Sequence, residues 1–297
     1  MKMREEALPR SGFEHVEAWV FDLDNTLYPA DCNLFAEIDS RMGEFIARRF
    51  GVSPEEAQRM RKHYYYEYGT TLAGLMRLHD VCPNAFLDYV HDIDLSVIAP
   101  APELGDALDA LPGRKFIFTN GSRRHAESVI ARLGIDGRFD GVFDIHAADF
   151  VPKPERAAYE RFIGAHAIAA GSAAMFDDLP HNLRTAHGLG MTTVLVACGD
   201  TDHPEHRAIA GWAELPSHIH HRTDALAPFL AAIGAEVQTE RRSMLSPPPL
   251  RDREGGSTNN LLTPLGPAFS GACSPARGER GARCSSLRFP PGLRQPT

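Results

Sequence analysis

Short, continuously apolar runs that stop abruptly in polar residues recur along the chain: Ala18 to Leu23, Lys115 to Phe118, Val142 to Ile145, Ala173 to Phe176 and Thr192 to Ala197. Runs of this length without alternation predict strands buried on both faces, as in a parallel sheet. Between them the apolar positions take up a helical period. In SRRHAESVIARLG, Ser122 can cap the start and Gly134 can end the helix, and PERAAYERFIGAHAIAAG repeats the pattern with Pro154 suited to a first turn. Alternating strands and helices predict an α/β doubly wound sheet.

One stretch departs from this alternation. From about Asp31 to Ile98 only helical patterns occur, among them SPEEAQRMRKHYYYEYGTTLAGLMRLH, where Ser53, Pro54 and Glu56 make a near capping box. This predicts an all-helical cap at 31–98, inserted into an α/β core formed by 1–30 and 99–242, over the sheet edge where open α/β sheets bind ligands. SHIHHRTD fits a final edge strand leading into the helix DALAPFL, which gives His218, His220 and His221 structural roles. From 243 to 297 the chain turns to Pro, Gly, Ser and Arg with sparse apolar residues, the composition of a disordered tail.

Composition narrows the class. With 297 residues, 43% of them hydrophobic and 24% charged, the chain has the makeup of a soluble globular protein. A formal charge of −8 argues against a nucleic-acid polymer as partner and requires local positive charge for any anionic substrate. No apolar run reaches membrane-spanning length and the opening residues lack the apolar centre of a signal peptide, so a cytoplasmic location is expected. Cys32, Cys82, Cys198, Cys273 and Cys284 show no CxxC spacing, which points to reduced thiols and to neither a disulfide framework nor a zinc site.

The strand ends carry the candidate chemistry. Asp22 and Asp24 follow the first apolar run in VFDLDNTLYP; Thr119, Asn120 and Gly121 close KFIFTNGS ahead of a helix start suited to anions; Asp177 and Asp178 close AAMFDDLPHN. In a parallel sheet these ends share one edge, so three polar clusters from distant positions converge. Lys153, in FVPKPE before a helix, has the placement of a counter-charge for phosphate. Arg123 and His125 follow closely enough to line the mouth of such a site, although a solvated helix face explains them equally well.

DxDNT, a hydrophobic strand ending in TN, a Lys before a helix, and a hydrophobic strand ending in DD with Asn182 beyond it resemble, in order, the four motifs of the haloacid dehalogenase superfamily, over roughly residues 16 to 230. DLDNTLYP together with YYYEYGTTLAGLM resembles the pyrimidine 5′-nucleotidase branch and its yeast members. The resemblance implies a magnesium-dependent phosphatase in which Asp22 is the nucleophile, Asp24 the general acid/base, Thr119 a hydrogen-bond donor to the phosphoryl group and Lys153 its counter-charge. It also implies Mg2+ held by Asp22, Asp177, Asp178 and the backbone carbonyl of Asp24. Asn120 and Gly121 would bind the phosphate end of the substrate. Tyr65 and Tyr68, from the run Tyr64, Tyr65, Tyr66 and Tyr68, are candidates to stack a base.

The expected substrate is a small phosphorylated metabolite, UMP or CMP foremost. Alternatives are phosphoglycolate, a sugar phosphate or pyridoxal phosphate, or a non-catalytic binding protein; the dehalogenase branch lacks the second aspartate that Asp24 supplies. For acid catalysis Asp24 must carry a proton at neutral pH, so its surroundings are expected to raise its pKa from about 3.9, while Asp22 stays ionised.

Overall fold

The computed structural model describes residues 12–198, 204–210 and 212–245. Its centre is a six-stranded parallel sheet of β1 (Ala18–Phe21), β2 (Arg114–Phe118), β3 (Gly141–Phe143), β4 (Ala173–Asp177), β5 (Thr192–Val196) and β6 (His221–Thr223), in the order β3-β2-β1-β4-β5-β6. The chain moves outward in one direction through β2 and β3 and in the other through β4, β5 and β6. The direction therefore reverses between β1 and β4, where a crevice opens at the carboxyl ends of the strands.

The expected doubly wound sheet is thus present. Three apolar runs outlast their strands: Leu23, Ile145 and Ala197 lie past the ends of β1, β3 and β5, because the loops leading to the sheet edge are themselves buried and extend the runs. The last strand begins at His221, later than SHIHHRTD suggested. His220 precedes it, and its Nδ1 accepts the amide hydrogen of Thr193 at 3.0 Å.

Strand β1 shows why such runs are apolar throughout. Trp19 and Phe21 enter one core with α5 (Pro102–Ala110), α6 (Arg123–Leu133) and α10 (Leu226–Leu245), whereas Ala18 and Val20 enter a second core with α7 (Arg156–His166), α8 (Pro180–Gly188) and α9 (Pro204–Ala210). Successive residues point to opposite faces, and both faces are covered. Ser122 accepts a hydrogen bond from the backbone of His125 at the start of α6, and Gly134 ends that helix at φ 72°, both as expected. Helix α7 starts at Arg156, so Pro154 is not in its first turn. It lies in a tight loop after a cis Lys153–Pro154 bond, closed by the Glu155 amide donating to the Pro152 carbonyl at 2.9 Å.

Between β1 and α5 the regular elements are α1 (Leu34–Phe50), α2 (Pro54–Tyr68), α3 (Thr71–His79) and α4 (Pro83–Val90), with short 3-10 turns. Ser53 caps α2 by accepting from Glu56 N at 3.2 Å. This helical insertion has its own apolar cluster, which includes Ile46, Leu75, Phe86 and Val90 and is joined from the core by Ile145. No described helix is long and apolar enough to cross a membrane. The expected disordered tail lies outside the described residues, except that α10 runs on to Leu245.

Candidate active site

Phe21 is in register with Phe176, and the Asp22 amide continues the ladder by donating to the Phe176 carbonyl at 2.8 Å. The next residue of each chain, Asp22 and Asp177, therefore emerges at the same level of the sheet edge. Asp178 follows directly. Asp22, Asp177 and Asp178 are buried and bring carboxylate oxygens within 4.8 Å of one another. Asn25, directly after Asp24, takes the left-handed conformation at φ 60°, which asparagine tolerates better than most residues, and turns the loop there.

Lys153 is the hub. Its ammonium donates to Asp22 Oδ1 and to Asp177 Oδ2, each at 2.7 Å, and its side chain is 1% exposed. Its backbone is pinned by Asn120, whose Nδ2 donates to the Lys153 carbonyl at 3.0 Å while its Oδ1 accepts the Lys153 amide at 2.8 Å. Asp177 is held further by Leu179 N and by Asn182 Nδ2, both at 2.9 Å to Oδ1. Thr119 is buried at the end of β2, and its Oγ1 accepts the Gly121 amide at 2.9 Å. A Cβ on residue 121 would come within 3.2 Å of that same oxygen, which accounts for glycine there.

Asp22, Thr119, Asn120, Gly121, Lys153, Asp177 and Asp178 are thus drawn into the edge region anticipated from their sequence positions. Asn120 and Gly121 make their described bonds to other site residues: one orients Lys153 and the other Thr119.

The electrostatics follow from charge crowding. Against the expectation that Asp22 stays ionised, burial pushes its carboxyl well up; Lys153 opposes this, and Asp177, Asp178 and Asp24 add to it. Burial and Asp177 raise Asp178 likewise. Lys153 is held strongly protonated: the two carboxylates outweigh burial, which alone would favour the neutral amine. Three clustered carboxylates against one ammonium leave a deficit of positive charge. An all-oxygen donor set with that deficit fits a hard divalent cation such as Mg2+, with Asp22, Asp177 and Asp178 as the residues to hold it.

Asp24 departs from expectation. Burial does act to raise its pKa, but its Oδ1 receives the Tyr28 hydroxyl at 2.7 Å and contacts His125 Nε2 at 2.8 Å, and these partners hold it below the usual value. The anticipated rise is therefore reversed, because electrostatic attraction to His125, with the hydrogen bonds from His125 and Tyr28, outweighs desolvation. His125 is buried, so neither the mouth nor a solvated face describes it. Its ring is stacked on His91, 4.3 Å between centroids and 7° between planes. His91 follows α4 and contacts Ser122 Oγ at 3.0 Å; burial, then His125, pushes its pKa down to about 3, so it is neutral. Arg123 is exposed, and its guanidinium donates to the Val142 carbonyl.

Tyr28 and His125 were not recognisable as partners of Asp24 from sequence, since only their distance from it identifies them. Tyr64 is buried inside the insertion and contacts His79. Tyr68 packs on the insertion's apolar cluster with the Arg77 guanidinium 5.5 Å from its ring centre, and Tyr65 is half-buried with its ring 5.5 Å from that of Tyr66. The end of α2 nevertheless comes close to the Lys153 loop: a Cβ at Gly69 would lie 3.8 Å from Pro152 Cγ.

Phosphate metabolism protein 8 of Saccharomyces cerevisiae is 28% identical over 196 residues, a match spanning 60% of this chain and 61% of the yeast protein. Among solved structures, CbbY from Rhodobacter sphaeroides in complex with phosphate is similar at 17% identity and a TM-score of 0.49, covering 71% of this chain and 95% of that one. A haloacid dehalogenase phosphatase from Thermococcus onnurineus is similar at 18% identity and a TM-score of 0.46, covering 77% and 98%. The family model for haloacid dehalogenase-like hydrolases matches residues 16–190, a span that runs from before Asp22 to past Asn182. With the whole carboxylate and lysine cluster inside that span, this chain belongs to the haloacid dehalogenase-like hydrolase family.

Proposed function

We propose that this protein is a magnesium-dependent phosphatase that hydrolyses a small phosphate monoester through a phosphorylated Asp22, with a pyrimidine nucleoside 5′-monophosphate, UMP or CMP, as substrate. The observation that carries the reading is the 2.7 Å bridge from Lys153 to both Asp22 and Asp177 at the switch point of the sheet. It aims one nucleophilic carboxylate, with its counter-charge, at the place where an anionic ligand enters.

In the first half-reaction an Asp22 carboxylate oxygen attacks phosphorus and the bond to the ester oxygen breaks. Asp24 gives its proton to the departing alkoxide. In the second, water attacks the acyl phosphate, Asp24 takes the water proton, and phosphate leaves as Asp22 is regenerated. Splitting the displacement in this way is effective for an ester that hydrolyses very slowly unaided. Thr119 donates its hydroxyl to the phosphoryl oxygens, and Lys153 neutralises them together with Asp22. The bound Mg2+ would supply further charge neutralisation at the phosphoryl group.

Tyr28 and His125 hold Oδ1 of Asp24, which leaves Oδ2 to carry the proton. An arriving phosphate adds negative charge beside Asp24 and favours its protonated form, opposing the depression that His125 and Tyr28 impose. Asp24→Asn retains substrate affinity but lowers kcat by about 10²–10⁴-fold, the usual worth of a positioned acid/base. Undiminished turnover in single-turnover assays contradicts the assignment.

The nucleotide reading rests on DLDNTLYP, on the aromatic residues of α2 and on the approach of its end to the Lys153 loop. The helical insertion acts as a cap, with Tyr65 and Tyr68 as candidates to stack the base. A panel of nucleoside, sugar and glycolate monophosphates, with and without Mg2+, tests both levels. UMP and CMP should show the highest kcat/KM, and chelation should abolish hydrolysis. Preference for a non-nucleotide ester overturns the substrate class, and no hydrolysis of any ester, p-nitrophenyl phosphate included, overturns the phosphatase.

A further inference from the structure

Beyond the all-oxygen cluster, a second group of metal-competent side chains shares one of its members. Asp178, after β4, Cys198, two residues past the end of β5, and His206, in α9, bring a carboxylate oxygen, a thiol sulfur and an imidazole nitrogen within 4.8 Å of one another. His206 Nε2 lies 2.8 Å from Asp178 Oδ2, and Cys198 Sγ lies 4.0 Å from the same oxygen. Asp178 and His206 are buried. We propose that Asp178, Cys198 and His206 form a second cation site, selective for a borderline-soft divalent metal of the zinc class.

The geometry is close to what such an ion requires. Tetrahedral zinc, with bonds of about 2.0–2.3 Å to nitrogen, oxygen and sulfur, sets its ligand atoms roughly 3.3–3.5 Å apart. The two distances at Asp178 Oδ2 bracket that spacing, and the His206 and Cys198 ligand atoms lie within 4.8 Å of each other, so the three donors close around the ion as it binds. Three protein ligands leave the fourth position for water.

Donor chemistry separates the two groups. Asp22, Asp177 and Asp178 offer oxygen alone and suit Mg2+, whereas thiolate and imidazole select zinc-like ions over magnesium. On binding, the Cys198 thiol releases its proton to solvent and the sulfur becomes the ligand. A hydrogen bond to Asp178 Oδ2 positions His206, and a thiol bond to the Asn25 carbonyl at 3.4 Å positions Cys198, so both soft donors are held beside the same carboxylate oxygen. Because Asp178 belongs to both groups, occupation of the second site is felt at the first.

The test uses the full chain saturated with Mg2+ and titrated with Co2+, a coloured substitute for zinc. A thiolate-to-cobalt charge-transfer band should grow to one equivalent and be discharged by Zn2+. Cys198→Ser should abolish the band, and His206→Gln should weaken cobalt binding by at least about tenfold, the loss seen even when an outer partner of a metal ligand is removed. No band, a band that survives Cys198→Ser, or unchanged affinity in His206→Gln overturns the proposal. Should either variant fail to fold, alkylation of the wild-type chain followed by peptide mass mapping decides. Protection of Cys198 by Zn2+ and not by Mg2+ supports the site, and equal labelling in the two metals overturns it. None of these readouts depends on phosphatase turnover.

Discussion

Asp22→Asn is expected to lower kcat for Mg2+-supported hydrolysis of p-nitrophenyl phosphate by at least about 10⁴-fold, because losing a covalent nucleophile removes the reaction path and not just one interaction within it. Stability should behave differently. Asp22 is crowded by Asp177, Asp178 and Asp24, and its pKa is pushed up by burial first and then by that crowding. The amide keeps the shape and removes one charge from an overfull cluster, while Lys153 retains Asp177 at 2.7 Å. Denaturant unfolding of the metal-free variant should therefore show no loss beyond about 1 kcal/mol. Residual turnover within tenfold of the parent would remove Asp22 from the chemistry.

Lys153→Met is expected to do the converse and to fail on both counts. Methionine fills a similar volume but leaves Asp22 and Asp177 facing each other inside the protein without the cation that bridges them. Removing one partner of a buried ion pair costs about 3–5 kcal/mol, and here two carboxylates lose the same cation. Metal-free unfolding should fall by that amount, with part of the loss restored as Mg2+ is added, since an ion bound only by the folded state stabilises it by mass action. Turnover should be lost as well, because the phosphoryl group no longer meets a positive charge. If unfolding is unchanged in the metal-free protein, the Lys153 bridge is not what holds the cluster together.

The contrast between these two variants separates charge from shape. Both replace a side chain at the same contact with one of comparable size, yet one relieves a surplus of negative charge and the other increases it. A site held together by packing alone would respond to both in the same way.

Much of this site was legible because a parallel sheet does the geometric work. Once β1, β2 and β4 are recognised as buried strands of one sheet, Asp22, Thr119 and Asp177 must share an edge, whatever lies between them. Lys153 needed no more than its place before a helix and the acidic neighbours it had to neutralise. The local caps at Ser53, Ser122 and Gly134 were equally readable, since each depends on residues within four positions.

The illegible part consists of contacts between residues far apart in sequence that follow no shared register. His125 meets Asp24 across 101 positions and reverses the expected direction of its pKa, a balance of burial against electrostatic attraction to His125 and two hydrogen bonds that composition cannot weigh. The closeness of Cys198 and His206 to Asp178 was hidden in the sequence because Asp178 comes from another strand end. Periodicity alone determined the order of strands and helices, and hence which residues reach the sheet edge, because burial on two faces leaves its mark on every strand. Which of those residues touch, and with what charge, was decided only when the loops and helices above the edge closed to within hydrogen-bond distance.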